Sequence, residues 1–452
     1  MTENEKFEKP LVAALAGIDH AESAHSADEI ELIRRRKHHL GGSMLFYRNP
    51  VHIVRGEGVW LFDAQGRKYL DCYNNVASVG HCHPRVVKAL CDQARLLNTH
   101  TRYLHEKVVD YAERLTTTFP GDLEICLFVC TGTEANELAM RIARSVSGER
   151  GAIVMENSYH GNSTLVTELS TCAYPASKRP DTVVAIEPPN TYRGPFGPRE
   201  RPGERYADLV DAAIDQLDAS GAGVAAFLCD SIFDTQGTLE APRDYFRRVY
   251  EKVRTAGGLC IADEVQAGFA RTGGHMWGFE HYGVVPDIVT LGKPMGAGHP
   301  IGAVVTTRPI AEEFGKSNVY FNTFGGNPVS AAVGMAVLDV FEEEHVQRNV
   351  QEVGRHLRSR LEELAQRHSL IGEVRGLGLF LGIEMVKDRE TREPATIEAL
   401  TIAERMREEG VLLGCTGRSG NVVKIRPPLV FSRENADFLT DTLDRVMSGL
   451  ER

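Results

Sequence analysis

The sequence predicts an α/β chain: a large domain built on a mainly parallel sheet, and a smaller α+β domain. Three observations predict it. Short, continuously apolar runs recur at Ile125–Cys130, Ala152–Met155, Thr182–Ile186, Val224–Cys229, Leu259–Ala262 and Ile288–Leu291. Segments of helical periodicity, such as Tyr206–Leu217 and Tyr245–Thr255, separate most of them, and continuous apolar strands alternating with helices bury both faces of a parallel sheet. Beyond Pro328 the order changes to strands followed by helices, the mark of a second unit.

Taken in order, Ser26-Ala27-Asp28-Glu29 predicts a helix start, and Gly41-Gly42 its stop. Residues before it read as a polar arm. Val51–Val54, Val59–Phe62 and Lys68–Asp71 read as strands, with Asp63-Ala64-Gln65-Gly66 as a hairpin turn. After Gly325-Gly326-Asn327-Pro328 one long helical pattern carries Glu342-Glu343-Glu344. Gly376–Val386 reads as a strand, Ile397–Arg407 as a helix, Val422–Ile425 as a strand and Asn435–Leu450 as a closing helix. The expected boundaries are residues 1–74 for the arm and part of the small domain, 75–330 for the large domain, and 331–452 for the rest of the small domain.

Composition narrows the function classes. A chain of 452 residues with 42% hydrophobic and 25% charged residues is ordinary for a soluble enzyme. A net charge of −11 argues against a nucleic-acid partner. Nine cysteines, an odd number with several in apolar runs, suit a reducing compartment. No apolar run reaches membrane-spanning length, and Leu11–Ala16 is too short for a signal peptide. The expectation is a cytoplasmic protein with no membrane partner.

In parallel sheets ligands bind beyond the carboxyl ends of the strands, and four strand ends carry chemistry. After the first, Thr131-Gly132-Thr133-Glu134 combines a capping box with backbone N–H groups and hydroxyls at a helix N-terminus, a phosphate site. After the second come Ser158-Tyr159-His160-Gly161, with an aromatic ring able to stack on a planar ligand. Asp263-Glu264 follows Ala262; one carboxylate is expected to face the crevice, where it needs a cation, and the other solvent or a basic partner. Lys293 follows Ile288–Leu291 among glycines and prolines, where a buried amine of lowered pKa can bind an aldehyde. Amine, anion, phosphate cup and aromatic face together form the requirements of pyridoxal phosphate. His81-Cys82-His83 offers metal-type residues, but the spacing splays them and no second cluster completes four ligands, so no metal is expected.

From about residue 44 onward the chain resembles the class III (ω-type) aminotransferases among fold type I pyridoxal-phosphate enzymes. The motifs are Gly80-His81-Cys82-His83-Pro84, Gly132-Thr133-Glu134-Ala135-Asn136, Tyr159-His160-Gly161, Ala262-Asp263-Glu264-Val265-Gln266 with Gly268-Phe269, Lys293-Pro294, and Asn322-Thr323-Phe324-Gly325-Gly326-Asn327-Pro328. The resemblance implies that Lys293 binds the cofactor aldehyde and that Asp263 pairs with its ring nitrogen. It implies Val265 and Tyr159 on the two ring faces, Gln266 at the ring hydroxyl, and Gly132 and Thr133 at the phosphate. Thr323 would reach that phosphate from a partner subunit, which implies a homodimer with shared active sites.

Asp71-Cys72-Tyr73-Asn74-Asn75-Val76-Ala77, Leu291–Pro300 and Lys424-Ile425-Arg426-Pro427-Pro428 resemble the ethanolamine-phosphate phospho-lyases within that class. Lys424 stands where many class III aminotransferases carry an arginine for the substrate carboxylate. A lysine is a point charge that also suits phosphate. Arg48, beside Tyr47, and Arg426 are further candidate cations for a phosphorylated amine, Arg426 alternating onto the strand face of Lys424. Asp230 stands where most relatives have glutamate, which reshapes the site near the cofactor. The activity so implied is elimination of phosphate from phosphoethanolamine. The alternatives are an ω-aminotransferase or a phosphohydroxylysine phospho-lyase.

Overall fold

The structure is a computed structural model that describes residues 26–41 and 45–450. The arm expected over residues 1–25, and Gly42 of the helix stop, lie outside the described residues. The first helix, Ala27–Leu40, begins as its sequence predicts: Ser26 Oγ accepts from Glu29 N at 3.3 Å, and Glu29 Oε2 accepts from Ser26 N at 2.9 Å. Strands β1 (Ile53–Glu57), β2 (Trp60–Asp63) and β3 (Lys68–Asp71) form an antiparallel meander. Asp63 closes its second turn by accepting from the backbone N–H groups of Gln65 and Arg67.

A seven-stranded sheet carries the site. Its strands are β4 (Leu123–Val129), β5 (Gly151–Met155), β6 (Val183–Ile186), β7 (Val224–Asp230), β8 (Leu259–Asp263), β9 (Ile288–Leu291) and β10 (Gly302–Thr307). They lie in the order β4-β10-β9-β8-β7-β5-β6. The neighbours from β9 through β6 are parallel, whereas β10 runs antiparallel to both β9 and β4. The sequence reading did not include β10. The ten residues 292–301 that lead into it are too few for a crossover helix, so the strand can only turn back. Alternate side chains enter two cores: Phe227 and Cys229 lie in one, Ala226 and Leu228 in the other.

The remaining strands are β11 (Ile371–Leu377), β12 (Phe380–Met385), β13 (Val411–Leu412), β14 (Gly414–Thr416) and β15 (Val422–Ile425). β11-β12-β15-β14 form an antiparallel sheet, while β13 pairs in parallel with β3. The N-terminal meander therefore takes its fourth strand from late in the chain. Two expectations are corrected here. Gly376–Val386 is not one strand but the close of β11, a turn and β12. Gly378 makes that turn at φ 56°, where a Cβ would meet the Arg271 carbonyl oxygen at 2.4 Å. The long helical pattern after Asn327 is two helices, Pro328–Glu343 and Val346–Arg367, broken at His345 with φ 52°.

His81 and His83 turn to separate carboxylates, Asp71 at 2.7 Å and Glu344 at 3.0 Å. All nine cysteines are free thiols. Among the described residues no helix is long and apolar enough to cross a membrane.

Candidate active site

A cavity of about 370 Å³ opens beyond the carboxyl ends of β4, β5, β7, β8 and β9. It is lined by Gly132, Thr133, Tyr159, Asp230, Asp263, Val265, Gln266 and Lys293, all singled out from the sequence. Their positions follow from the strands beneath them: each chain segment leaves the sheet at its last hydrogen-bonded residue and turns over one common crevice.

Above β4, Thr131 caps the helix Gly132–Ser147, its Oγ1 accepting from Glu134 N at 3.1 Å. The reciprocal bond of a capping box falls one residue earlier, because Glu134 Oε2 accepts from Cys130 N at 2.6 Å. Gly132 is packed so closely that a Cβ there would lie 2.9 Å from Val265 Cγ1. Only glycine brings this helix end against the wall that Val265 forms. The N-terminal N–H groups of that helix, with the Thr133 hydroxyl, form a cradle suited to phosphate.

At the end of β8, Asp263 is 5% exposed and held by three donors. Its Oδ2 accepts from Asn136 Nδ2 at 2.9 Å and lies 2.7 Å from His160 Nδ1; its Oδ1 accepts from Val265 N at 3.1 Å. Asn136 is fixed in turn by the Thr290 hydroxyl and by its bond to the His160 carbonyl. Glu264 corrects an expectation. It faces neither solvent nor a basic group, but is fully buried and accepts from Ser231 Oγ and from the backbone N–H groups of Gly278 and Phe279. Burial outweighs those donors and pushes its carboxyl up to about 7.

Lys293 opens a short 3₁₀ turn, Lys293–Gly296, directly after β9. Burial, then the nearby Arg426 charge, lowers its amine below the usual lysine range. A less protonated amine is what carbonyl addition and proton abstraction require. Asp230 ends β7 opposite Asp263 and accepts from Ile232 N at 2.9 Å and Asp234 N at 3.0 Å. Burial and the Asp263 charge push its carboxyl up to about 7. Tyr159 stands at the rim, 46% exposed.

Behind Gln266, outside the lining of the cavity, stand two cations, Lys424 on β15 and Arg426 directly after it. Lys424 Nζ donates to Asp234 Oδ1 at 2.9 Å, and Arg426 Nη1 lies 3.7 Å from Asp234 Oδ2. The expected common face of Lys424 and Arg426 is thus observed. Gln266 donates to Asp234 Oδ2, accepts from Arg426 Nη1, and accepts from Asn75 Nδ2 at 2.8 Å. It ties the cations to the cavity. The Tyr73 ring lies 4.4 Å from the Arg426 guanidinium and 5.6 Å from Lys424 Nζ.

Three predicted residues lie elsewhere. Tyr47 and Arg48 line a separate cavity of about 460 Å³ with Leu400, Leu413 and Cys415. Tyr47 Oη donates to the Leu413 carbonyl at 2.7 Å, and Arg48 N donates to Glu404 Oε1 at 2.6 Å. Phe46, beside them, meets Tyr73 at 4.7 Å between ring centroids, so one aromatic contact separates this cavity from the cations. Thr323 is exposed, outside the cavity. The sequence reading missed Asp234 and the roles of Asn136 and His160. Asn136 had a signal: it is a polar residue at helical spacing from Ala139, Met140 and Ala143, on an apolar stripe of its helix.

The residues present fit pyridoxal 5′-phosphate. Asp263 is a buried carboxylate bonded by no lysine or arginine among the described residues. Lys293 is an amine of lowered pKa in the same cavity, and Gly132 opens a phosphate cradle.

The model of the aminotransferase class-III family matches residues 46–447. The chain is 44% identical over 426 residues to "alanine–glyoxylate aminotransferase 2-like" of Drosophila melanogaster, covering 92% of this chain and 86% of that protein. It is 38% identical to "ethanolamine-phosphate phospho-lyase homolog 1" of Caenorhabditis elegans, covering 93% of this chain and 94% of that one. Among solved structures, a phospholyase from Arthrobacter in complex with phosphoethanolamine superposes with a TM-score of 0.90 at 47% identity, over 92% of this chain and 99% of that one. The chain belongs to the class III aminotransferase family, a family of pyridoxal-phosphate-dependent enzymes of this fold.

Proposed function

We propose that the protein is an ethanolamine-phosphate phospho-lyase, converting phosphoethanolamine and water to acetaldehyde, ammonia and phosphate. The observation that carries this reading is the pair of buried cations, Lys424 and Arg426, packed behind Gln266 of the cofactor cavity. A lone arginine fork would suit a carboxylate; a lysine beside an arginine suits a compact phosphate. The Arthrobacter structure with phosphoethanolamine supports the same substrate class.

In this reading the cofactor, when bound, takes up the electron pair released at the substrate Cα. The residues do the rest. Asp263, clamped by Asn136, His160 and Val265 N–H, holds a proton on the ring nitrogen. The Lys293 amine removes the Cα proton, helped by the burial that lowers its pKa. Lys424 and Arg426 orient the phosphate and stabilise its charge as the C–O bond breaks. Val265 and Tyr159 would hold the cofactor ring between them, Gln266 would meet its hydroxyl, Gly132 and Thr133 would hold its phosphate, and Asp230 would shape the wall beside them. Tyr47 and Arg48 would reach substrate only through movement of the segment that carries them.

A homodimer is part of the proposal. Leu96, Tyr103, Leu104, Val319 and Phe324 are exposed, Leu104 fully so, and Thr323 stands beside Phe324. Their exposure supports a surface that a partner subunit covers. A second copy covering them would bring Thr323 to its neighbour's phosphate cradle. Sedimentation of the holoenzyme is expected to give a dimer.

The second reading, aminotransfer between an amine and a keto acid, is favoured by the likeness to "alanine–glyoxylate aminotransferase 2-like"; a phosphohydroxylysine phospho-lyase uses the same residues. The deciding experiment gives the holoenzyme phosphoethanolamine with no keto acid. Phosphate, acetaldehyde and ammonia are expected in equal amounts. If none forms, while pyruvate is consumed with an amine donor, the lyase reading fails.

A further inference from the structure

Gln266 lines the cofactor cavity, and its amide is almost fully committed to neighbours behind it. The oxygen, Oε1, accepts from Arg426 Nη1 and from Asn75 Nδ2, the latter at 2.8 Å. The nitrogen, Nε2, donates one hydrogen to Asp234 Oδ2. The chemistry of these partners fixes which end is which. A guanidinium only donates and an ionised carboxylate only accepts, so the oxygen must face Arg426 and the nitrogen Asp234. Burial alone would raise the Asp234 carboxyl, but Lys424 and Arg426 outweigh it and hold it well below the usual carboxylate range, so it stays an acceptor. A carbonyl oxygen has two lone pairs, and both are taken. What the amide retains is one N–H, with no partner among the described residues. Gln266 can therefore meet a ligand in the cavity only as a donor.

Asn75 is brought to Gln266 by the loop before it. The residue is 3% exposed, and the turn that carries it is tied down along its length. Asp71 Oδ1 accepts from Tyr73 N at 3.0 Å and from Asn74 N at 2.9 Å, while its Oδ2 lies 2.7 Å from His81 Nε2. Arg426 N donates to the Cys72 carbonyl at 2.8 Å. This loop thus brings Asn75 and Arg426 to one atom of Gln266, 191 residues from Asn75 in sequence.

We propose that Asn75 is a positioning residue of the cofactor site: it fills the last lone pair of Gln266 Oε1, so that the amide offers the ring hydroxyl a donor and no acceptor. This rests on the reading that places Gln266 at that hydroxyl. An oxygen met only by a donor is favoured in its deprotonated form, whereas a free lone pair on Gln266 would accept its proton and favour the protonated form. Arg426 alone cannot impose this, because it fills one lone pair of the two.

The test is a pH titration of the bound cofactor's absorbance in the parent, N75A, N75L, Q266M and N75A/Q266M holoenzymes. The midpoint is expected to rise by about 0.5 pH unit in N75A, roughly threefold in proton affinity, as one neutral hydrogen bond would give. N75L keeps side-chain volume without the donor and should show the same rise, which separates a lost bond from lost packing. Q266M should rise at least as far, and N75A/Q266M should match Q266M, since Asn75 then has no amide to hold. A midpoint unmoved in N75A and N75L while it moves in Q266M overturns the role of Asn75 alone. So does a shift of equal size with and without Gln266, or failure of both Asn75 variants to retain cofactor. A midpoint unmoved in Q266M overturns the placement of Gln266 at the ring hydroxyl, and the proposal with it.

Discussion

Asp263 and Asp234 are both buried aspartates beside one cavity, and their partners differ in kind. Asp263 is held by an amide, an imidazole and a backbone N–H. Asp234 also accepts from one amide, that of Gln266, but it is bonded by Lys424 and flanked by Arg426. The first is a carboxylate positioned to receive a cation; the second is a cation pair with a carboxylate already in it. Their origins differ as well. The donors to Asp263 come from the helix after β4 and the loops after β5 and β8, whereas the cations at Asp234 come from β15 of another sheet and the residue after it. In the proposed reading cofactor chemistry and substrate choice rest on separate elements, and mutations at the two ends should be separable.

The largest effect is expected at the cofactor end. Lys293→Ala should lower turnover by about 10⁴-fold with any substrate, because it removes both the covalent anchor and the proton carrier. Borohydride treatment followed by denaturing mass measurement should find cofactor attached to the parent protein and none attached to the variant. Attachment in the variant would show that Lys293 is not the anchor. Asp263→Asn should cost about 10²-fold, since the amide keeps a hydrogen bond but not the charge that retains a ring proton. It too should act equally on elimination and on amino transfer. A loss confined to one reaction would break the division between the two ends.

Lys424→Ala should raise the KM for phosphoethanolamine by about 30-fold, the lower range for truncating one member of a buried charge pair. Cofactor retention should be unchanged, and so should turnover of an amine that lacks phosphate. Steady-state kinetics on the two substrates read this directly. Equal losses on both would place Lys424 in the cofactor machinery.

How far this division was legible follows from where each residue gets its meaning. Lys293, Asp263 and Gly132 stand immediately beyond apolar strands, so their place in the crevice follows from local pattern and one rule about parallel sheets. Asp234 takes its role from Lys424, 190 residues away in sequence, and no local pattern foretells that meeting. Glu264 was misread because a polar residue after a strand suggests solvent, while Ser231 and two backbone N–H groups form a closed pocket for it. β10 carries an apolar run like those of the parallel strands, a signal the sequence reading left unused, and only the short connection sets its direction.

The smallest effect lies at Asp230, which joins the two ends: its charge opposes that of Asp263, and it accepts from Asp234 N. Burial, followed by Asp263, raises its carboxyl from an ordinary 3.8 to about 7. A raised carboxyl in the folded state means that folding binds a proton between those values. Asp230 then costs nothing below about pH 4, costs progressively more as pH rises toward 7, and reaches its full cost above that. Asp230→Asn cannot ionise. It loses one acceptor for the N–H groups of Ile232 and Asp234, a penalty that does not vary with pH. The cofactor-free variant should therefore gain on the parent protein as pH rises from 5 to 8, by about 2 °C in Tm. Thermal melts across that range measure the gap between the two proteins. A gap that stays flat would mean that Asp230 is ionised throughout and that Asp263 does not act on it, leaving the two ends of the cavity electrically independent.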